Sequence, residues 1–383
     1  MKKISFNCIF IILIFLISIV STSCKEEKNY KTEKFSGGKG TQNEPYIITT
    51  SEQFTKFANL VNEGDENYID KHYILGNDID LTEYDEISNT RISWTPIGWY
   101  NSSSSKQPFK GVFNGNNKKI TGLYLKSESL QYAGLFGYIF NCTIENLGVV
   151  EVDLYITYPN NYTGISRGFY TGAIAGLSNN SNISNCYSTG KVMVYFISSL
   201  SGSYAGGIVG YNSTGSISNC YSTCSVNSSF YEYSNAGGIA GYNNGVISNC
   251  YSTGSVYSAA PVLISNSGGI IGNNEGKVLN CAALNPSISC TGYSRLFGRI
   301  EGNDGITQSK NIAFNNMLNP DSETEWKNKG ENRKDGEDIT TEQIYTDGTL
   351  GERFISEKGW TTQNGKLPGL SGNTVDIPKH LQQ

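Results

Sequence analysis

The chain has few of the residues on which common enzyme active sites depend. Its 383 residues include only two histidines, His72 and His380, and no HExxH pattern, so the helix-borne zinc site of a metallopeptidase is absent. Neither a GxSxG nor a P-loop pattern occurs. A net charge of −5 argues against a nucleic-acid partner. We therefore expect no catalytic residues, no metal site and no cofactor.

Charged residues are scarcest in the middle of the chain. Residues 133–300 contain only ten: Glu145, Glu151, Asp153, Arg167, Lys191, Glu232, Glu275, Lys277, Arg295 and Arg299. A polysaccharide lyase or glycosidase needs converging carboxylates, or acidic calcium ligands beside a basic residue. Surface or turn roles explain the acidic pairs better, and the residues to re-examine if activity were found are Asp78, Asp80, Glu151, Asp153 and Lys191.

The N-terminus is typical of an exported lipoprotein. After the charged start Met1-Lys-Lys, residues 9–20 form an apolar run that is too short for a membrane span but fits a signal peptide. The run ends in Ser21-Thr-Ser-Cys24, which resembles a bacterial lipobox. We predict a lipoprotein signal peptide over 1–23 and a lipid on Cys24, which would anchor the chain to a membrane.

Lys25, Glu26 and Glu27 resemble the short signal that sends lipoproteins to the outer face of some Gram-negative bacteria. We therefore predict an outer-membrane lipoprotein exposed on the cell surface, with periplasmic retention as the alternative. Residues 24–40 are charged and then glycine-rich, which predicts a flexible tether.

One block recurs along the rest of the chain. GGIVGYNSTGSISNCYST at 206–223 returns as GGIAGYNNGVISNCYST at 237–253 and more loosely at 268–281 and 172–189. A decayed first copy lies at 133–147. A decayed last copy lies at 294–306 and includes Gly298. A period of about 30 residues indicates a solenoid or another repeat array.

The short runs within each block favour a parallel β-helix. Runs such as GGIVGY and SISNCY are β-type and are separated by Asn, Gly and Ser, and none has helical periodicity. A β-propeller blade would need about 40–50 residues and four longer strands. We predict an all-β, parallel β-helix with rungs of about 25–31 residues, and short helical caps at both ends.

Two residue types recur at fixed places and predict interior and corner ladders. We expect a column of buried thiols, formed by Cys142, Cys186, Cys220, Cys250 and Cys281. The asparagines before them should lie at chain bends and bond from rung to rung, in particular Asn185, Asn219 and Asn249. Cys224 and Cys290 stand outside this column, and the sequence does not determine whether they form a disulfide.

Tyrosines next to these positions are the best binding candidates. If each ladder cysteine points inward, the following residue should point outward. This predicts an exposed aromatic stripe suited to sugars or protein partners, formed by Tyr187, Tyr221, Tyr251, Tyr211 and Tyr242. The alternative is that these rings only cover neighbouring rungs.

The repeats resemble the GLUG motif, a glycine-rich repeat of bacterial surface proteins. GTQNEPYIITTSEQF at 40–54 and FKGVFNGNNKKITGL at 109–123 extend the resemblance over residues 37–300. It implies a right-handed β-helix on a secreted or surface-attached protein. Some proteins with the motif are adhesin-like, and others are large metallopeptidases that carry it as an accessory region.

The predicted organisation is a β-helix over 41–318, whose first part, 41–130, includes an N-terminal cap, followed by a polar loop and C-terminal cap over 319–383. Two Thr-x-x-Gln patterns, at 50–53 and 340–343, predict helix N-termini. We expect an adhesin-like protein that binds a glycan or a surface protein without catalysis. The alternatives are a polysaccharide lyase or glycosidase of this shape, and a structural surface protein.

Overall fold

The computed structural model describes residues 34–100, 106–157, 168–196, 202–305 and 307–382. Within it, Phe35–Gln383 is one compact unit built as a parallel β-helix. The predicted signal peptide, the lipidation site Cys24 and the export signal Lys25–Glu27 lie outside the described residues.

Each complete turn of the β-helix passes through five strand positions, here called faces 1 to 5 in chain order. Face 1 contains Tyr132–Ala133, Phe169–Gly172, Gly202–Gly206 and Tyr233–Gly237. Face 2 contains Phe136–Phe140, Ala175–Asn179, Val209–Asn212, Ala240–Asn243 and Ile271–Asn274. Face 3 contains Tyr46–Ile48, His72–Leu75, Ser181–Ser184, Gly215–Ser218, Val246–Ser248, Lys277–Leu279 and Thr307–Ser309.

Faces 4 and 5 complete the turn. Face 4 contains Ile79–Asp80, Tyr221–Ser222, Tyr251–Ser252, Ala282–Ala283, Ile312–Phe314 and Glu337–Ile339. Face 5 contains Tyr124–Ser127 and Ser225–Ser229. Five long strands bend through more than one face: Val112–Thr121, Thr143–Thr157, Tyr187–Tyr195, Val256–Gly268 and Ile288–Gly298. A separate antiparallel pair joins Trp99–Tyr100 to Lys106–Gln107.

Parallel pairing sets the register of the rungs. Within the described residues, face 3 runs through nine successive parallel strands from Tyr46 to Ser309. The inward position of face 3 is occupied in successive rungs by fully buried side chains, namely Ile144, Ile183, Ile217, Ile247 and Val278. Because each inward side chain stacks on the next rung, the core is a continuous column of apolar side chains.

Close rung contact explains the paired glycines between faces 1 and 2. A Cβ on Gly238 would lie 2.1 Å from the carbonyl oxygen of Gly269 and 2.5 Å from Ser252 Oγ. Gly238 does not adopt a positive φ, so space rather than backbone conformation requires glycine here. Each rung also has a glycine on face 2. In the last rung this glycine is Gly302, whose N–H donates to Gly272 O, and not Gly298, which pairs with Gly268 on face 1.

The cysteine column begins one rung later than the sequence suggests. Cys186, Cys220, Cys250 and Cys281 are all buried, and each thiol donates to the carbonyl two residues before it, with sulfur–oxygen distances of 3.1–3.4 Å. The placement of Cys142 in this column is wrong. Cys142 is buried opposite Ser181, and Leu147 stands opposite Cys186, because Ile144 pairs with Ile183.

The corner asparagines adopt the left-handed conformation, with φ of 52°, 51° and 50° at Asn185, Asn219 and Asn249. This conformation suits asparagine better than most residues, because its short amide can bond locally. The bonds expected among these three side chains do not form, and Oδ1 of Asn185 and of Asn219 has no partner. A bond of this kind does join Asn280 Nδ2 to Asn249 Oδ1, at 2.7 Å.

A second asparagine ladder is buried and was not predicted. Asn212 donates to Asn243 and Asn243 donates to Asn274, both at 2.8 Å. Asn274 then donates to the carboxylate of Glu301 at 2.6 Å. All four side chains are at most 1% exposed. The three asparagines end the face 2 strands, just before the turn to face 3. Their mutual bonds satisfy amide groups that would otherwise be costly to bury.

Helix α1, Ser51–Asn62, covers the N-terminal end of the β-helix. Its amphipathic face buries Phe54 and Phe57, and the ring of Phe57 stacks on Phe113 with centroids 5.7 Å apart. Thr50 caps the helix through Gln53 N at 3.3 Å. In a capping box, the Gln53 side chain would accept from the backbone N–H of the capping residue, Thr50. Here it accepts from Thr49 N, one residue earlier.

The segment expected to be an exposed loop, 319–339, is exposed over most of its residues, but a few of its side chains pack on the last rung. Trp326 is buried and donates to Met317 O at 2.9 Å. Arg299 is fully buried and binds the carboxylate of Asp338 at 2.7 Å, while its backbone N–H donates to Asp335. A buried guanidinium needs this full set of partners, and the charged loop supplies it.

The last residues lie along the side of the β-helix rather than over its far end. We call residues 341–382 the C-terminal strap. It begins with helix α2, Thr341–Asp347, whose capping box is complete, and includes two 3₁₀ turns, Ser356–Lys358 and Lys379–Leu381. Ser371 of the strap reaches back to Asn117, at 3.3 Å between side-chain oxygens.

Candidate functional site

The predicted aromatic stripe on face 4 is not exposed. Tyr251 is fully buried and Tyr221 is 6% exposed, while Tyr187 is half-buried. The strap covers them: the ring of Trp360 lies 5.8 Å from that of Tyr251, and Tyr251 Oη donates to Pro368 O at 2.6 Å. The prediction of a binding surface at these tyrosines is wrong, because the distant strap packs on the face they were expected to expose.

The stacking of these rings also removes them as sugar platforms. Tyr187, Tyr221 and Tyr251 stack face to face along the axis, with centroids 5.0 and 5.1 Å apart and planes within 7°. A sugar ring binds to the free face of an aromatic ring, and here each face is taken by the next rung. Burial raises the pKa of the Tyr221 and Tyr251 hydroxyls, as expected for packing residues.

The other two predicted tyrosines lie in a seam between faces 1 and 2. Tyr211 is half-buried, Tyr242 is 9% exposed, and their rings stack with centroids 4.4 Å apart. Tyr204 packs edge-on against both, and burial raises its pKa to about 12. Glu275 contacts the hydroxyl of Tyr242. These rings too are packed on one another, so only their edges reach solvent.

A set of exposed side chains begins on face 5 and continues at the corner between faces 5 and 1. Each of five consecutive rungs contributes one member, and we call this set the corner ridge: Tyr155, Tyr195, Tyr231, Val262 and Tyr293, with exposed fractions of 38%, 48%, 38%, 37% and 84%. Tyr233 and Leu296, on two of the same rungs, are also exposed. Among the described residues, no aromatic ring stacks on any of the ridge tyrosines, and their exposed parts can contact a ligand.

Backbone pairing fixes the path of the corner ridge. Tyr195 lies opposite Thr157, two residues beyond Tyr155, and Val262 N donates to Tyr231 O at 3.2 Å. The ridge thus crosses the first rungs diagonally and then follows the axis. The buried rings of Phe196 and Phe230 stack beneath it with centroids 4.9 Å apart, so the corner rests on a packed support. Residues 158–167 and 197–201, which adjoin it in sequence, lie outside the described residues.

Sequence reasoning missed this ridge because its residues do not repeat. Tyr155 ends a decayed copy, and Tyr231 and Val262 lie in insertions of different length. The only available signal was the cluster of aromatic residues in the insertions after face 5. Their alignment depends on the register of the rungs, which the sequence does not show.

The acidic candidates have structural partners. Asp78 accepts from Lys119 N at 2.9 Å, and Asp80 accepts from Thr82 N at 2.8 Å. Asp153 lies 3.7 Å from Arg91 and pairs in register with Lys191. Glu151, an exposed residue with φ of 56°, occupies a bulge between the paired residues Val149 and Val152. In the described part of the chain, no three His, Cys, Asp or Glu side chains are grouped to hold a metal ion.

The remaining cysteines are separate from one another. All seven described cysteines are free and buried. Cys224 donates to Ser188 Oγ at 3.5 Å, and Cys290 donates to Ser265 O at 3.2 Å. Burial raises the pKa of both thiols, so neither is an activated nucleophile.

Comparison with known proteins identifies the repeats. A family profile described as the GLUG motif matches residues 168–193, 201–227 and 232–257. An Evansella cellulosilytica protein described as a "Putative Gly-rich membrane protein" is 33% identical over 149 residues, which are 39% of this chain and 15% of that protein. The chain therefore spans only a small part of that relative's length.

A solved structure shares the fold. The crystal structure of a "putative immunoglobulin A1 protease" from Bacteroides ovatus matches with a TM-score of 0.63 at 23% identity, over 89% of this chain and 96% of that chain. The chain is thus a β-helix with GLUG repeats, and these two features support a surface or binding-type protein. Among the described residues, no helix is long and apolar enough to cross a membrane.

Proposed function

We propose that this protein is a lipid-anchored, surface-displayed binding protein without catalysis, and that it binds through the corner ridge. The observation that carries the proposal is the exposure of at least one large side chain on each of five consecutive rungs, on a chain whose repeated tyrosines on face 4 and in the seam are packed. Exposed tyrosines give a large contact area at low cost in side-chain entropy, and they dominate many binding surfaces.

Anchoring through Cys24 and export directed by Lys25, Glu26 and Glu27 complete the proposal. The match to a relative described as a membrane protein supports attachment to a membrane. The lipobox at Ser21–Cys24 supports a lipid as the means of attachment, and the tether would hold the β-helix away from the membrane. The adhesin-like role follows from placing a long, ridged surface outside the cell.

The absence of catalysis is part of the proposal. Asp78 and Asp80 accept from backbone N–H groups, Asp153 lies beside Arg91, and Glu151 is exposed in a bulge. The two histidines lie in different parts of the fold, with His380 Nε2 bonded to Leu284 O at 2.7 Å. The solved relative described as a protease shares less than 25% identity with this chain, so its name carries no activity over to it.

A triple substitution tests the ridge. Tyr155→Ser, Tyr195→Ser and Tyr231→Ser in the full-length protein should reduce adherence of displaying cells at least tenfold, because such anchors typically contribute about 1–2 kcal/mol or more each. Tyr84→Ser with Tyr345→Ser is the matched control, since these tyrosines are 52% and 37% exposed elsewhere on the surface. Equal adherence of the two variants would place binding at another surface.

A further inference from the structure

We infer that the corner ridge binds a neutral, linear polysaccharide laid along the course of the ridge. This inference rests on the proposed function and names the ligand class of the same ridge. Three features of the ridge carry it: the continuous course of its side chains over five rungs, the exposure of its rings, and the polar, sparsely charged surface between them.

The course of the ridge suits a linear polymer. Tyr195 and Tyr231 each lie two residues further across the strands than the ridge residue of the rung before, and beyond Tyr231 the ridge follows the axis. Adjacent rungs of a parallel sheet lie about 4.8 Å apart, so the ridge residues of the first three rungs are separated by more than the rung spacing. An extended polysaccharide that follows the ridge would meet an apolar contact on each of five consecutive rungs.

The ridge tyrosines differ from the tyrosines on face 4 and in the seam in whether another ring covers their ring faces. On face 4 and in the seam, ring faces are covered by neighbouring rings at 4.4–5.1 Å. The ridge tyrosines have no aromatic partner among the described residues. An aromatic face carries negative potential, and it attracts the slightly positive C–H groups of a sugar ring. Only rings with a free face can make this contact.

The surface between the rings is rich in hydroxyl groups. One row of residues in register across face 5 contains Thr157, Tyr195, Ser229, Ala259 and Thr291, so four of its five members carry a hydroxyl group, and the threonines and the serine are partly or fully exposed. Hydroxyl groups can both donate to and accept from sugar hydroxyls. They provide polar recognition between the apolar contacts.

Charge near the ridge is low and partly neutralised. Exposed Lys126 lies opposite Tyr155, Glu232 adjoins Tyr231, and Arg295 pairs with Asp321 at 3.3 Å. A polyanionic glycan would need a row of basic residues, which the ridge lacks. A protein partner would favour a continuous apolar centre with a polar rim, whereas here single rings alternate with hydroxyl groups. The observations therefore favour a neutral glycan over both.

The most direct test is how the affinity depends on the length of the oligosaccharide. Full-length protein in detergent is measured against immobilised cellulose, xylan and mannan oligosaccharides of two to eight units, with oligogalacturonate and hyaluronan as charged comparators. We expect affinity for at least one neutral series to rise at least tenfold between two and about five units, because a longer chain reaches more of the ridge side chains, and then to level off. Equal binding of dimers and octamers, binding of the charged glycans alone, or no binding to any neutral series overturns the inference.

A second arm separates this inference from the proposed function. Target cells that the protein binds are treated either with periodate, which oxidises sugars, or with protease. Loss of adherence after periodate, together with at least a tenfold loss in the Tyr155, Tyr195 and Tyr231 triple variant, supports both. Loss after protease alone, with the triple variant still defective, means that the ridge binds a protein and the glycan inference fails. Full adherence of the triple variant means that the proposed function of the ridge fails.

Discussion

At the scale of single residues, contacts between rungs decide which side chains the fold tolerates. The glycine pairs do not serve as turns with positive φ. They remove side-chain volume where one rung's backbone lies against the carbonyl of the next. The asparagines before the cysteines act differently, because their left-handed backbone bends each rung between faces 3 and 4.

Replacing one corner glycine should therefore open two rungs. The added Cβ of Gly238→Ala would meet backbone and side-chain oxygens at 2.1 and 2.5 Å, and we expect a loss of about 1–3 kcal/mol in the free energy of unfolding. Gly202→Ala is the matched control, because its nearest contact would be 3.1 Å away, on a side-chain carbon. Denaturant melts of both variants measure the difference, and equal losses would contradict the role of close contact.

The buried hydroxyl of Tyr251 gives a second residue-scale prediction. Tyr251→Phe leaves the carbonyl of Pro368 buried without its donor, which should cost about 1–3 kcal/mol. Tyr187→Phe, at the exposed end of the same stack, should cost less than about 0.5 kcal/mol. Thermal melts compare the two, and a larger loss at Tyr187 would mean that the strap does not dock on Tyr251.

At the scale of elements, the strap and the buried asparagine ladder hold the rungs from two sides. The strap contacts rungs far apart along the axis, from Asn117 to Leu284. The ladder ends in a carboxylate, Glu301, which is fully buried and also accepts from Gly305 N at 2.8 Å. Each element joins rungs that backbone pairing already stacks.

Glu301 should make stability depend on pH. Burial raises its pKa from an ordinary 4.5 to about 7. Between these two values the unfolded chain has lost its proton and the folded chain keeps it, so the free energy of unfolding falls as pH rises, by up to about 3 kcal/mol. Urea midpoints at pH 5 and pH 8 test this. Glu301→Gln should flatten the difference, and an unchanged pH slope in that variant would assign the effect to another group.

At the scale of the whole molecule, the number of repeats sets the length of the β-helix, and the proposed lipid on Cys24 would attach it to a membrane. The ridge spans five rungs of the β-helix, so a partner would contact the side of the β-helix rather than its end.

Anchoring can be tested apart from folding. Cys24→Ala should release the protein from the membrane fraction, because no lipid can then be attached. Replacing Glu26 and Glu27 with Ala should keep the lipid but reduce antibody labelling of intact cells. Unchanged labelling in the second variant would contradict the export signal while leaving the lipobox prediction intact.

The sequence by itself determined the parallel β-helix, because its period, short β-type runs and buried isoleucines are local and repeated. It also indicated α1 and the inward thiols of Cys186, Cys220, Cys250 and Cys281. The sequence did not determine the register of the decayed copies. Cys142 follows an asparagine as the other ladder cysteines do, yet backbone pairing places Leu147 in the cysteine column.

Only the tertiary structure decided which tyrosines are free. Alternation along a strand separates the two sides of a rung, but it does not tell whether the outer side faces water or another segment. The strap lies about a hundred residues from Tyr251 in sequence and buries it. The corner ridge, in contrast, combines strand residues such as Tyr155 and Tyr195 with residues from insertions of unequal length. No repeat pattern aligns them, and only the stacking of the rungs brings them to one side of the β-helix.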